Sequence, residues 1–239
     1  MKNIRVEKTV VADRKRAQHI LKVLRENIPL HEEDFAASRV AKESGDPLRV
    51  LVVTILSQNC TDVAALRAYG NLDHAVGVSV STLSRARVRT IEKAIHVAGL
   101  HKQKAKALKQ LAKVVNEKYS GNFAAALNGS LEQVRESLQE LPNVGPKTAD
   151  VVLSIWDRPT ISVDTHVDRV SKRLGLATTK ARYGEVRSTL MQEFLDEDYR
   201  SVPLYFMALG RKICKAQRPL CPACPINNLC PYERKTKPI

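Results

Sequence analysis

Apolar residues return every three or four positions through most of this chain, the period of an α-helix with one buried face. Ile20, Val23 and Leu24 mark one such stripe, and Leu108, Leu111, Val114 and Val115 mark another, each with charges on the remaining faces. Only short breaks interrupt the pattern: SGDP (44–47), GNF (121–123), PNVGP (142–146), DRP (157–159) and a proline-rich tail. One run, LRVLVVTILSQN (48–59), is rich in β-branched residues and reads locally as a buried strand. A lone strand would have no partner for its backbone ladder, so a core helix is predicted instead. No internal repeat or low-complexity segment is present, and the pattern as a whole predicts an all-α protein.

Two segments carry more than packing. Arg85 to Lys113 holds four Arg or Lys before HVAGL and five after it, which predicts two helices with a basic face joined by a bend at Gly99. Such a run is ordinarily a solvated surface, and a nucleic-acid contact is the functional alternative. The second segment, SLEQVRESLQELPNVGPKTADVVLSIW, predicts a helix over 130–141, a tight turn, and a second helix from about Lys147. Pro146 fits the first helical position, where a missing N–H costs nothing. Gly145 and Asn143 are the residues of this turn that tolerate positive φ. A helix-hairpin-helix of this kind leaves N–H groups unpaired at the positive end of a helix, where a phosphate binds without any base being read. Asn143, Val144, Gly145 and Lys147 are therefore candidate DNA contacts.

Charge sharpens the partner class. The 239 residues carry 39 Lys and Arg against 25 Asp and Glu, a net +14, which favours an extended polyanion through counterion release. No apolar run reaches the roughly 18 residues of a membrane span, and the N-terminus lacks the apolar segment of a secretory signal. A monomeric protein of the cytoplasm, associated with the nucleoid in a prokaryote, or of a nucleus is expected.

Five cysteines argue against a disulfide framework. Cys60 stands alone and is read as a small buried hydrophobe. Cys214, Cys221, Cys224 and Cys230 form C-x6-C-x2-C-x5-C, four thiolates near enough in sequence to close round one metal centre. Spacing alone leaves zinc and an iron–sulfur cluster both open.

With LPNVGPKTADVVL, SVDTHVDRV and the terminal cysteines in this order, the chain resembles the endonuclease III family of helix-hairpin-helix DNA glycosylases, from about Leu48 to Tyr232. The resemblance implies a bifunctional glycosylase and abasic-site lyase of base excision repair, acting on duplex DNA with oxidised pyrimidines or abasic sites. It makes Lys147 the Schiff-base lysine, Asp164 the catalytic aspartate, and the four cysteines ligands of a [4Fe–4S] cluster. A lysine in a first helical turn is by itself usually just solvated, and an aspartate before Thr165 is usually an N-cap. Their joint occurrence, 17 positions apart and behind the hairpin, favours chemistry. The neutral amine of such a lysine is a nucleophile. His166 and Asp168 are read as structural or supporting residues.

The resemblance also implies residues that fill the gap left by an extruded base. Asn59, before the TD pair, and Leu100, after Gly99, match those positions; Asn59 replaces the family's usual glutamine, with Gln58 beside it as a substitute. His101, Lys102 and Lys104 flank Leu100 and point to a DNA contact there, while Lys212, Lys215 and Arg218 in or beside the first cysteine loop are further phosphate candidates. The expected architecture has two lobes, residues 40–158 forming a helical barrel that ends in the hairpin, and 1–39 packing with 159–239, which carries the cluster. DNA is expected across the cleft, with a basic N-terminal extension of unassigned role. The alternatives are a monofunctional uracil or thymine mismatch glycosylase, whose relatives usually lack the lysine, and a non-catalytic helix-hairpin-helix binding module, which needs neither Lys147 nor Asp164.

Overall fold

The computed structural model describes residues 13–156 and 158–236. The basic N-terminal extension lies outside the described residues. Among those described, the chain is helical throughout, with no strand, and none of its helices is long and apolar enough to cross a membrane. It opens with α1 (Arg14–Asn27). Then come α2 (Ala36–Ser44), α3 (Pro47–Ser57), α4 (Asp62–Ala75), α5 (Val80–Arg85), α6 (Val88–Ala94), α7 (His101–Tyr119), α8 (Leu131–Gln139) and α9 (Pro146–Ile155). After a short connection follow α10 (Thr165–Arg173), α11 (Tyr183–Glu193) and α12 (Ser201–Lys212), and short 3-10 turns carry the chain through the cysteines.

The helices fall into two compact units. One runs from His31 to Pro159. The other joins the stretch up to Leu30 to Thr160 and beyond. The break therefore falls earlier than residue 40, a position that would cut through α2. That helix belongs with the first unit because Ala36 and Val40 are buried in the same core as α3.

The centre of the 31–159 unit is the run whose β-branched content imitates a strand. Asp46 caps it by accepting the Leu48 N–H, Pro47 fills its first turn, and Leu48 and every residue from Val50 to Leu56 is buried. A helix that is apolar all round must be covered on every side, and α3 packs against α2, α4, α7 and α9. The basic stretch departs from the expected pair of helices. Ala86 and Arg87 are extended (ψ 145° and 134°), so α5 ends at Arg85, and α6, a 3-10 turn and α7 follow in sequence.

In the second unit, α1 buries Ala17, Ile20, Leu21 and Leu24 in a core shared with Leu190, Val202 and Phe206. Phe194 and Phe206 meet edge to face at 6.0 Å. Polar bonds fasten the same helix: the buried Glu193 carboxylate accepts the Asp13 N–H at 2.8 Å, and Arg16 donates to the carbonyls of Leu174 and Leu229 at 2.6 and 2.9 Å.

Helices α10 and α12 pack tightly at Gly210, where an added Cβ would lie 2.8 Å from His166 Cβ and 3.2 Å from Arg169 Nη2. Gly210→Ala is expected to lower stability by about 1–3 kcal/mol in urea unfolding, overpacking outweighing the roughly 1 kcal/mol that alanine gains in helix propensity.

Candidate functional site

The hairpin between α8 and α9 is built by one left-handed residue. Asn143 takes φ 63°, and the Val144 N–H donates to the Leu141 carbonyl at 3.1 Å to close the turn. Gly145, a candidate for that conformation, instead sits extended at φ −91° and ψ 178° as the N-cap of α9. Any residue adopts that backbone, and a Cβ there would meet nothing within 4 Å. What the glycine leaves is open space over the helix start. The first backbone bond into α9 runs from Ala149 N–H to Gly145 C=O, so the earlier N–H groups of Lys147 and Thr148 have no acceptor within the helix. Lys147 is exposed on this first turn, directly behind Pro146. Val144 is different from its neighbours: its side chain is 5% exposed and its N–H is spent, so it anchors the turn rather than presenting a contact.

Two further loops of the same unit carry the remaining candidates. Asn59 is exposed in a left-handed conformation (φ 53°) between α3 and α4. Leu100 is also left-handed (φ 47°) and 53% exposed, at the start of α7. For a residue with a Cβ this region costs about 1–2 kcal/mol, and it persists only where the surroundings hold it. Gln58 is not a spare substitute for Asn59. Its Nε2 donates to the Asn143 carbonyl at 3.1 Å and to Thr148 Oγ1 at 3.2 Å, and its Oε1 accepts from Asn143 Nδ2 at 2.9 Å. The side chain is thereby locked to the hairpin. Lys102 is exposed, whereas His101 is half-buried, its Nε2 3.8 Å from Glu92 Oε1 and its ring stacked obliquely on His96.

Lys104 corrects the expectation of a surface contact. It is 2% exposed, and its Nζ donates to the carbonyls of Leu56 and Gln58 at 2.7 Å and of Ala98 at 2.9 Å. Burial pushes its pKa down, with the nearby Cys60 opposing the shift. Cys60 itself is half-exposed at the core edge, its thiol 3.3 Å from the Thr61 carbonyl oxygen, rather than fully buried.

In the other unit, Asp164 is the N-cap of α10. Its Oδ1 accepts the N–H groups of His166 and Val167 at 2.8 and 2.7 Å, and its Oδ2 lies 3.0 Å from His166 Nδ1. One carboxylate oxygen is thus committed to the helix while the other faces an imidazole, on a side chain only 10% exposed. Asp168 pairs with Lys172 one turn on, at 2.7 Å. On the same helix, Arg169 donates to the Gly210 and Cys214 carbonyls, both at 2.9 Å, which fixes α10 against the start of the cysteine loop.

Cys214, Cys221, Cys224 and Cys230 are all free thiols, half-buried. Burial first, with the other three thiols adding to it, pushes Cys224 up to about 11; Cys230 is raised by burial and by Cys214 and Cys221. Four cysteine thiols gathered at one end of this unit offer the donor set that a cationic centre takes. Arg173 supports the group, donating to Cys214 Sγ at 3.3 Å and to the Lys215 and Ala216 carbonyls at 2.7 and 2.9 Å, while the Cys230 thiol donates to the Arg173 carbonyl at 3.5 Å. Among the described residues no three His, Cys, Asp or Glu side chains are drawn together as a closed single-ion site. Lys212, Lys215 and Arg218 are exposed along the first loop.

This arrangement has close parallels among known proteins. The family model for HhH-GPD superfamily base excision DNA repair proteins matches residues 52–194. Endonuclease III of Sulfolobus acidocaldarius is 32% identical over 218 residues, 90% of this chain and 96% of that protein. Endonuclease III of Bacillus subtilis is 36% identical over 191 residues, 80% of this chain and 83% of that protein. The chain belongs to the endonuclease III family. A solved structure of a trapped endonuclease III–DNA covalent intermediate, an estranged-adenine complex, superposes with a TM-score of 0.74 at 28% identity, covering 93% of this chain and 97% of that one.

Within this member of the endonuclease III family, pattern reading missed Lys104, the Gln58–Asn143 pair and the Asp164–His166 contact. Lys104 had a signal: it stands at the 104, 108, 111, 115 register of the apolar face of α7, where a charge is out of place. The structural part of Asp164 separates cleanly from any chemical part. Asp164→Ala is expected to cost about 1 kcal/mol in urea unfolding, and Asp164→Asn, whose amide oxygen still accepts the two N–H groups, less than half of that.

Proposed function

We propose that this chain is a bifunctional DNA glycosylase and abasic-site lyase of base excision repair, with Lys147 as its nucleophile and duplexes carrying oxidised pyrimidines such as thymine glycol, or abasic sites, as substrates. The observation that carries this reading is Lys147 itself, exposed on the open first turn of α9 behind a hairpin with unpaired N–H groups, in a chain about a third identical to endonuclease III proteins over most of its length.

The chemistry follows from the groups available. A phosphate seats on the Lys147 and Thr148 N–H groups, in the space that Gly145 keeps clear. The Lys147 amine attacks C1′ of the damaged nucleotide, and the bonding pair of the glycosidic bond leaves with the base. Opening of the C1′–O4′ bond gives an imine. The C2′ proton adjacent to it is then acidic, and its loss expels the 3′ phosphate by β-elimination. Asp164 stabilises positive charge developing on the sugar or accepts the amine proton, its Oδ2 steered by His166. Asn59 and Leu100 take the place of the extruded nucleotide in the stack, and the exposed Lys102 steadies the backbone nearby.

The four cysteines fit a [4Fe–4S] cluster by donor chemistry, thiols alone with an arginine beside one of them. Cys214, Cys221, Cys224 and Cys230 would hold such a cluster as thiolates, and the loop that carries Lys212, Lys215 and Arg218 would be fixed around it. Equal iron and acid-labile sulfide in the purified protein is the expected analysis; zinc without sulfide would contradict this assignment.

Lys147→Gln is expected to abolish strand cleavage while changing duplex affinity by less than about threefold, because a single amine adds little to an interface of many phosphates. Affinity that falls in step with cleavage would remove Lys147 from the nucleophile's role. Excision of uracil or thymine opposite guanine without strand cleavage by the wild type would favour a monofunctional glycosylase. Gly145→Ala should leave the melting temperature unchanged, since φ −91° suits any residue, yet weaken duplex binding by about tenfold as the methyl group enters the phosphate's space.

A further inference from the structure

Besides Ser120 at the end of α7, three non-glycine residues of the 31–159 unit take the left-handed conformation, each in its own loop: Asn59, Leu100 and Asn143. They belong to different parts of the sequence, yet two side chains link them. Gln58 joins the first loop to the hairpin through three hydrogen bonds, two with Asn143 and one with Thr148. Lys104 joins the first loop to that of Leu100, its ammonium bridging the Leu56 and Gln58 carbonyls to that of Ala98, two residues before Leu100. Gln58 is common to both links, by its side chain in one and its carbonyl in the other.

A solvated lysine would serve the surface just as well, so burying one here needs a reason in what it holds. The carbonyls at the end of α3 have no helical N–H left to accept, and the chain turns sharply at Asn59 directly after them. Three charge-assisted bonds from one ammonium satisfy that helix end and pull the Gly99–Leu100 turn towards it. Leu100, an exposed apolar side chain on a backbone that disfavours it, follows the segment that the bond to the Ala98 carbonyl holds.

We propose that Lys104 is a positioning residue for base extrusion: with Gln58 it clamps the Asn59 and Leu100 loops to the hairpin, so that the two side chains enter a duplex as one rigid wedge registered to the phosphate-binding turn. This inference rests on the glycosylase and lyase reading. A wedge carried on independently moving loops would lose part of its binding energy to ordering them, whereas a clamped wedge meets the duplex already formed. The clamp matters most where a stacked, paired base must be displaced, and least where no base remains.

Single-turnover kinetics of wild type and Lys104→Met, on a paired thymine glycol duplex, on the same lesion opposite a mismatched base, and on an abasic duplex, test this. Lys104→Met is expected to slow excision from the paired duplex by about tenfold, equivalent to ~1.4 kcal/mol of barrier, to recover most of that loss on the mismatched duplex, and to cleave the abasic duplex within about threefold of wild type. Gln58→Leu, which keeps the buried ammonium and removes the hairpin link, should show the same substrate order with a smaller loss, and decides the matter if Lys104→Met fails to fold. Equal slowing on all three substrates, with the wild type active, overturns the clamp alone and leaves Lys104 a general stabiliser. A wild type inactive on every duplex overturns the enzymatic reading, and the clamp's role with it.

Discussion

The buried ammonium of Lys104 sets the terms for one end of the 31–159 unit. An isolated charge in an apolar interior is costly, and the lowered pKa of this lysine records that cost. Three backbone carbonyls offset it, since hydrogen bonds from a charged donor each contribute about 1.5–3 kcal/mol. The carbonyls also need the donor, because they lie at a helix end and in a turn where no backbone N–H reaches them. Charge and backbone thus satisfy each other, and the conformations of two loops follow from that exchange. Asn59 and Leu100 remain left-handed because the segments preceding them are held.

The two residues proposed for the chemistry, Lys147 and Asp164, both stand at helix starts. In the 31–159 unit, Pro146 begins α9 without needing a donor, Gly145 leaves the approach clear, and Lys147 follows on an exposed turn. In the other, Asp164 begins α10 and divides its two oxygens between the helix and His166. Such positions serve a repair enzyme well. The macrodipole draws phosphate to them, and a residue there keeps a fixed backbone. An N-cap aspartate is accordingly not an alternative to a catalytic one; the cap is what orients the carboxylate.

Much of this was legible in the sequence. The heptad-like stripes, the Gly and Pro punctuation and the C-x6-C-x2-C-x5-C tail lead to the helices, the hairpin and the cysteine loop without any coordinates. The strand-like run 48–59 was readable as a core helix because its neighbours offered no sheet. What escaped depends on which face of an element is turned inward. Lys104 is indistinguishable in composition from the exposed Lys102 and Lys106, and only its register on α7 marks it as buried. Gly145 and Asn143 both tolerate positive φ, and the choice of Asn143 rests on its side-chain bond to Gln58, 85 positions away in sequence. Long-range hydrogen bonds of this kind leave no local periodicity to read.

The most direct test of the account is to find where the covalent bond forms. Borohydride reduction during reaction with a thymine glycol duplex, followed by proteolysis and mass spectrometry, should yield one nucleotide-bearing peptide, with the adduct on Nζ of Lys147. An adduct on any other amine, or strand cleavage with nothing trapped, would contradict the mechanism.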